Sequence, residues 1–149
     1  YISVTGVQTC ALPIFDHVSY ELERMGDHAS SVAKQARKLA PFAPLKDYEL
    51  LPQQGERVAE QVHGIIRALV DVDQDQARRV AALDDEVDRL YHLTFDTVLV
   101  LMRENPENVE PGTRIIFAAH YLERIGDRVT NVAEDIVFLA SGEVEDLNP

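Results

Sequence analysis

One cysteine in 149 residues, Cys10, leaves no intrachain disulfide available and suits a reducing cytoplasm. Basic residues are scarce: 14 Lys and Arg stand against 26 Asp and Glu, a formal net charge of −12. A surface of that sign repels phosphate backbones and anionic lipid. It argues against nucleic acid and membrane-surface binding, and favours cations and basic protein patches as partners. No apolar run approaches the ~20 residues of a membrane span, so no direct membrane insertion is expected. Alternating polarity bounded by Gly/Asn turns is missing, so strands are not expected. No glycine-rich loop could cradle a nucleotide, and Ser30 and Ser31 lack a histidine placed to activate them. A catalytic residue is therefore not expected.

What is present is a foldable chain, 46% hydrophobic and 27% charged. Residues 1–14 carry no helical period and read as an irregular or non-native lead-in. From Phe15 to about Ala40 the steps of three and four predict a first helix, with Leu22, Met25, Ala29, Val32 and Leu39 on its buried stripe. Pro41 and Pro44 stop it. A second helix is expected from near Leu50 to Val72, with Pro52 in its first turn. A third is expected from about Gln76, capped by Asp73 or Asp75, to Glu104 before Asn105-Pro106. A fourth should run from near Pro111 to Ser141, with Gly142 as its stop. Three long helices with short connections form an antiparallel up-down-up bundle, so the fold class is all-α. Residues 45–142 form that bundle, 15–44 are an extra helix and its linker, and 143–149 are an acidic tail. Tyr20, Tyr91 and Tyr121 are expected in the core with wet hydroxyls.

One string occurs twice, a hundred residues apart. Tyr20-Glu21-Leu22-Glu23-Arg24-Met25-Gly26-Asp27 returns as His120-Tyr121-Leu122-Glu123-Arg124-Ile125-Gly126-Asp127, with Val32-Ala33 and Val132-Ala133 in register. A repeat at this spacing implies two copies of one structural unit. Each copy sets acids four apart, Glu23/Asp27 and Glu123/Asp127, on one helical face. In the fourth helix His120, Asn131 and Glu134 share that stripe. The third helix offers Asp84 and Asp88, again four apart. Partly buried carboxylates without counter-charge cost several kcal/mol each, about as desolvated ions do, and a cation removes the problem. All-oxygen donors suit Mg²⁺, Mn²⁺ or Fe³⁺ better than structural Zn²⁺. Arg24, Arg124 and Arg128 are the alternative neutralisers.

Glu60-Gln61-Val62-His63 has the Glu-x-x-His form of di-iron bundles, but a second such motif is missing, so an exposed pair is expected. His92 follows Asp88 by four and is expected to be partly exposed. His17 and His28 have no partner that the sequence names.

With both Glu-Arg-(Met/Ile)-Gly-Asp segments, Asp84-Asp85-Glu86-Val87-Asp88-Arg89-Leu90 and Asn131-Val132-Ala133-Glu134 in hand, the chain resembles the PhoU family from about Phe15 to Ser141. The resemblance implies two three-helix bundles, of which this chain holds the last helix of the first and all of the second. It maps acidic metal-binding motifs onto Asp84, Asp88, Glu123 and Asp127, with Asn131 and Glu134 as supplementary ligands, and onto Glu23 and Asp27 in the first copy. Ser31 and Lys34 stand where Asn131 and Glu134 do in the second copy, which leaves the first incomplete. The implied cofactor is one or more ions of Fe, Mn, Mg or Zn. The implied activity is a cytoplasmic, non-enzymatic adaptor, acting as a homodimer. It links the ATPase subunit of a phosphate ABC transporter to a sensor histidine kinase and represses the starvation response. A di-iron-type enzyme and a metal-free helical interaction module are the rival readings.

Overall fold

The computed structural model describes residues 2–45 and 49–147. The start of the expected bundle region at 46–48, Tyr1 and the last two residues of the acidic tail lie outside the described residues. Five helices follow in order: α1 (Ile2–Leu39), α2 (Leu50–Asp71), α3 (Gln74–Ala81), α4 (Asp84–Glu104) and α5 (Val109–Ser141), with a 3-10 turn at Pro106–Asn108 before the last. No strand occurs among the described residues.

The expected third helix is two segments, α3 and α4. Ala82 and Leu83 keep helical backbone angles, but the Leu83 and Glu86 amides bond three residues back, to Val80 and Leu83, instead of four. One tightened turn bends the helix without reversing it. Asp73 caps α3 by accepting from the Gln76 amide at 2.9 Å, so the structure selects it over Asp75. α2 ends on Val72 in the left-handed region (φ 51°), and α5 ends on Gly142 (φ 76°), where glycine carries no side-chain penalty.

α2, α3–α4 and α5 form the expected up-down-up bundle. The buried Gln54 side chain donates to the Ala119 carbonyl at 3.0 Å and joins the parallel α2 and α5. Val58, Ile65, Val87, Leu122, Val129, Val132, Ile136 and Val137 fill the space between the helices.

α1 differs from expectation at its start. The helix begins at Ile2 instead of Phe15 and runs through Pro13, so the lead-in is helical. Ile14 is buried against the core, which gives this stretch an apolar anchor that no internal period betrays. α1 lies antiparallel along α5: His17 meets Asp135, Glu21 meets Arg128, and His28 stacks on Tyr121. Its buried edge is therefore Ile14, Val18, Glu21, Met25 and Gln35. Leu22 and Ala29 instead line an open groove of about 420 Å³ between α1 and α2, floored by Ile125. Tyr20 is exposed and not in the core; Tyr91 and Tyr121 are half-buried.

Candidate functional site

α4 and α5 run antiparallel and turn their acidic pairs toward each other. Gly126 is what permits this approach: a Cβ there would collide with Oδ1 of Asp84 and crowd Oε1 of Gln61. Asp84 is 6% exposed. Its Oδ1 accepts from Gln61 Nε2 at 3.1 Å, while its Oδ2 is buried without a partner. Asp88 Oδ1 and Glu123 Oε2 are likewise buried and lack a hydrogen bond.

The electrostatics follow from that crowding. Burial, reinforced by Asp88 and Asp127 and opposed by the Gln61 bond, pushes Asp84 up to about 6. Burial and then Asp127, against Arg124, push Glu123 up to about 7. Asp88 is raised for the same reasons, burial first and Asp127 second, with His92 opposing. These carboxyls hold protons that exposed ones would release, the mark of anions short of counter-charge. Arg124 supplies part of it through an ion pair with Asp127 at 2.8 Å. His120 stands 3.5 Å from Glu123.

The donor set suits a hard cation, being all oxygen with three orphaned buried oxygens on two facing helices. As they stand, no three His, Cys, Asp or Glu side chains among the described residues converge on one metal-holding point.

Four of the eight residues that sequence assigns to metal lie apart from the cluster. Asn131 donates to Glu21 on α1, drawn away by that buried acid. Glu134 accepts the Leu147 amide and holds the C-terminal segment. Glu23 and Asp27 are exposed on α1, because no helix among the described residues faces them as α4 faces α5; Asp27 pairs loosely with Arg24 at 3.4 Å. Glu60 pairs with Arg57 and His63 with its own helix carbonyl at Ala59, so the Glu-x-x-His pair is exposed as expected.

Sequence reasoning missed the joint between α1 and α5. Glu21, 2% exposed, receives Arg128 Nη1 at 3.3 Å and Asn131 Nδ2 at 3.3 Å, with His17 at 3.5 Å. His17 also bonds Asp135 at 2.6 Å, and that bond raises its pKa. The only signal was placement: Glu21 lies one turn from Val18 and Met25 on an otherwise apolar edge.

Residues 51–136 match the family model described as the PhoU domain. The chain is 37% identical over 128 residues to the phosphate-specific transport system accessory protein PhoU homolog of Clostridium acetobutylicum, covering 86% of this chain and 58% of that protein. The homolog of Zymomonas mobilis is 37% identical over 126 residues, covering 85% and 53%. Among solved structures, PhoU from Pseudomonas aeruginosa superposes with a TM-score of 0.88 at 31% identity, covering 92% of this chain and 66% of that one. The phosphate transport system regulatory protein PhoU from Streptococcus pneumoniae gives 0.82 at 26% identity, covering 94% and 66%. The chain spans about half the length of the curated relatives it matches.

Proposed function

Because this chain belongs to the PhoU family, we propose that it acts as an accessory regulator of phosphate uptake, an adaptor and not an enzyme. In this reading it sits in the cytoplasm, docks on the ATPase subunit of a phosphate ABC transporter and on a sensor histidine kinase, and keeps the starvation response off. The observation that carries the reading is the family match over residues 51–136, most of the α2–α5 bundle. The charge of −12 supports it by suiting basic docking patches.

Asp84, Asp88, Glu123 and Asp127 are the residues that would hold a cation of the Mg, Mn, Fe or Zn class. Its chemistry would be charge neutralisation that locks α4 on α5. The metal-free module has one observation in its favour: Arg124 already neutralises Asp127 at 2.8 Å.

The test is binding of the full chain to the transporter ATPase subunit and to the kinase, beside a two-bundle relative. Saturable binding that weakens with added salt is the expected result. Phosphate-ester turnover abolished by Asp127→Asn, with neither partner bound by the relative, would move the assignment to an enzyme.

A further inference from the structure

A second cluster, of opposite sign, lies at the crossing of α1 and α5. The two helices meet through Glu21–Arg128 and His28–Tyr121. These contacts are equivalents under the internal repeat, since residue 21 corresponds to 121 and 128 to 28. Antiparallel helices related in this way share a pseudo-two-fold axis. Arg24 and Arg124, also equivalents, lie between the two contacts along their helices, and both act electrostatically on His28. Four groups able to carry positive charge thus gather in a chain whose net charge is −12.

We propose that this face, with Arg24, Arg124, Arg128 and His28, binds a free tetrahedral oxyanion of the phosphate class. Each guanidinium spends Nη1 on an acid: Arg24 on Asp27 at 3.4 Å, Arg124 on Asp127 at 2.8 Å, Arg128 on Glu21 at 3.3 Å. The Nε atoms of Arg24 and Arg128 and Nε2 of His28 are buried with no hydrogen-bond partner. Arg24 and Arg124 remain 41% and 40% exposed, so their heads reach solvent. Burial first, then the nearby Arg128, Arg24 and Arg124, lower the pKa of His28.

Three acids, Glu21, Asp27 and Asp127, face the patch and compete. Glu21 is committed to Arg128 and Asn131 inside the helix joint. Asp27 is 60% exposed, and an ion pair that open is worth little. A dianion offers each planar fork two oxygens, which a singly charged, solvated carboxylate matches poorly. The site shares no cation ligand except through the Arg124–Asp127 pair, and it stands without the adaptor reading.

Calorimetric titration of the full chain with inorganic phosphate at low ionic strength tests it, with sulfate and glycerol phosphate as parallel arms. Saturable phosphate binding is expected, weakened about tenfold by Arg24→Gln or Arg124→Gln and lost in the double variant. Arg89→Gln, whose guanidinium pairs with Glu86 on α4, should leave it unchanged. Sulfate should follow the same arginine dependence, and glycerol phosphate should bind more weakly. Absence of saturable phosphate binding, indifference to Arg24 and Arg124, or binding of the phosphomonoester alone would each overturn the proposal. Far-UV circular dichroism of each variant separates loss of the site from loss of the fold.

Discussion

The two Glu-Arg-x-Gly-Asp copies differ hardly at all in sequence and almost completely in surroundings. Around Gly126 a Cβ would strike Asp84 and Gln61; around Gly26 it would meet nothing within 4 Å. Glu123 is pushed up to about 7 by burial and its neighbours, whereas Glu23 is exposed. Perturbed carboxylates therefore belong to the packing of α4 and α2 against the motif, not to the motif. A short acidic string marks where a site can be built; the facing helix builds it. The same repeat makes a different structure where its copies touch each other, at the Glu21–Arg128 joint and the arginine face.

The largest effect should come from that joint. Glu21→Ala leaves Arg128 largely buried without its acid and should cost about 3 kcal/mol in urea unfolding, as broken buried pairs do. Truncating the repeat-equivalent stacking contact, by His28→Ala, should cost about 1 kcal/mol. Equal costs would mean that stacking, not the buried charge, seats α1.

A second test uses pH. The folded pKa of Asp84 is raised from 3.8 to about 6, so the folded state holds the proton longer than the unfolded chain. Its contribution is fully present below pH 3.8 and is lost as pH rises through about 6; Glu123 adds a loss in the same direction between 4.5 and about 7. The contribution of this pair should therefore lower the melting temperature of the metal-free protein at pH 7.5 relative to pH 4. Asp84→Asn should recover on the order of 2 kcal/mol at pH 7.5 and little at pH 4. Asp27→Asn, its counterpart on the exposed copy, should change stability by less than about 0.5 kcal/mol at either pH.

The smallest contrast is the sharpest sequence-matched one. Gly126→Ala should destabilise by about 1–2 kcal/mol, the collision with Asp84 outweighing the gain in helix propensity. Gly26→Ala should stabilise by up to about 1 kcal/mol, because only the propensity gain remains. Matching signs at the two glycines would mean that α4 does not approach α5 as closely as described.

Periodicity and breakers made the bundle legible: Pro106, Gly142 and the apolar steps placed α2, α5 and the end of α4 within a few residues. The bend at Ala82 and Leu83 escaped because both keep helical backbone angles and only the bonding partner shifts. The helical stretch before Phe15 escaped because a buried anchor such as Ile14 makes no internal period. Spacing put Asp84 with Asp88 and Glu123 with Asp127, because neighbours four apart share a face, and the structure turns the two pairs toward each other. A helical wheel cannot reveal that Asn131 and Glu134 engage Glu21 and Leu147. Glu21 itself read as part of a charged string, and only tertiary placement shows it buried.

The central claim is that the copy facing α4 is a cation site and the copy on α1 is not. Titration of the metal-free chain with Mn²⁺, followed by calorimetry, addresses it directly. Saturable binding that is lost in Asp84→Asn and Asp127→Asn but kept in Asp27→Asn is the result expected. No binding by the unaltered chain, or an equal loss in Asp27→Asn, would contradict it.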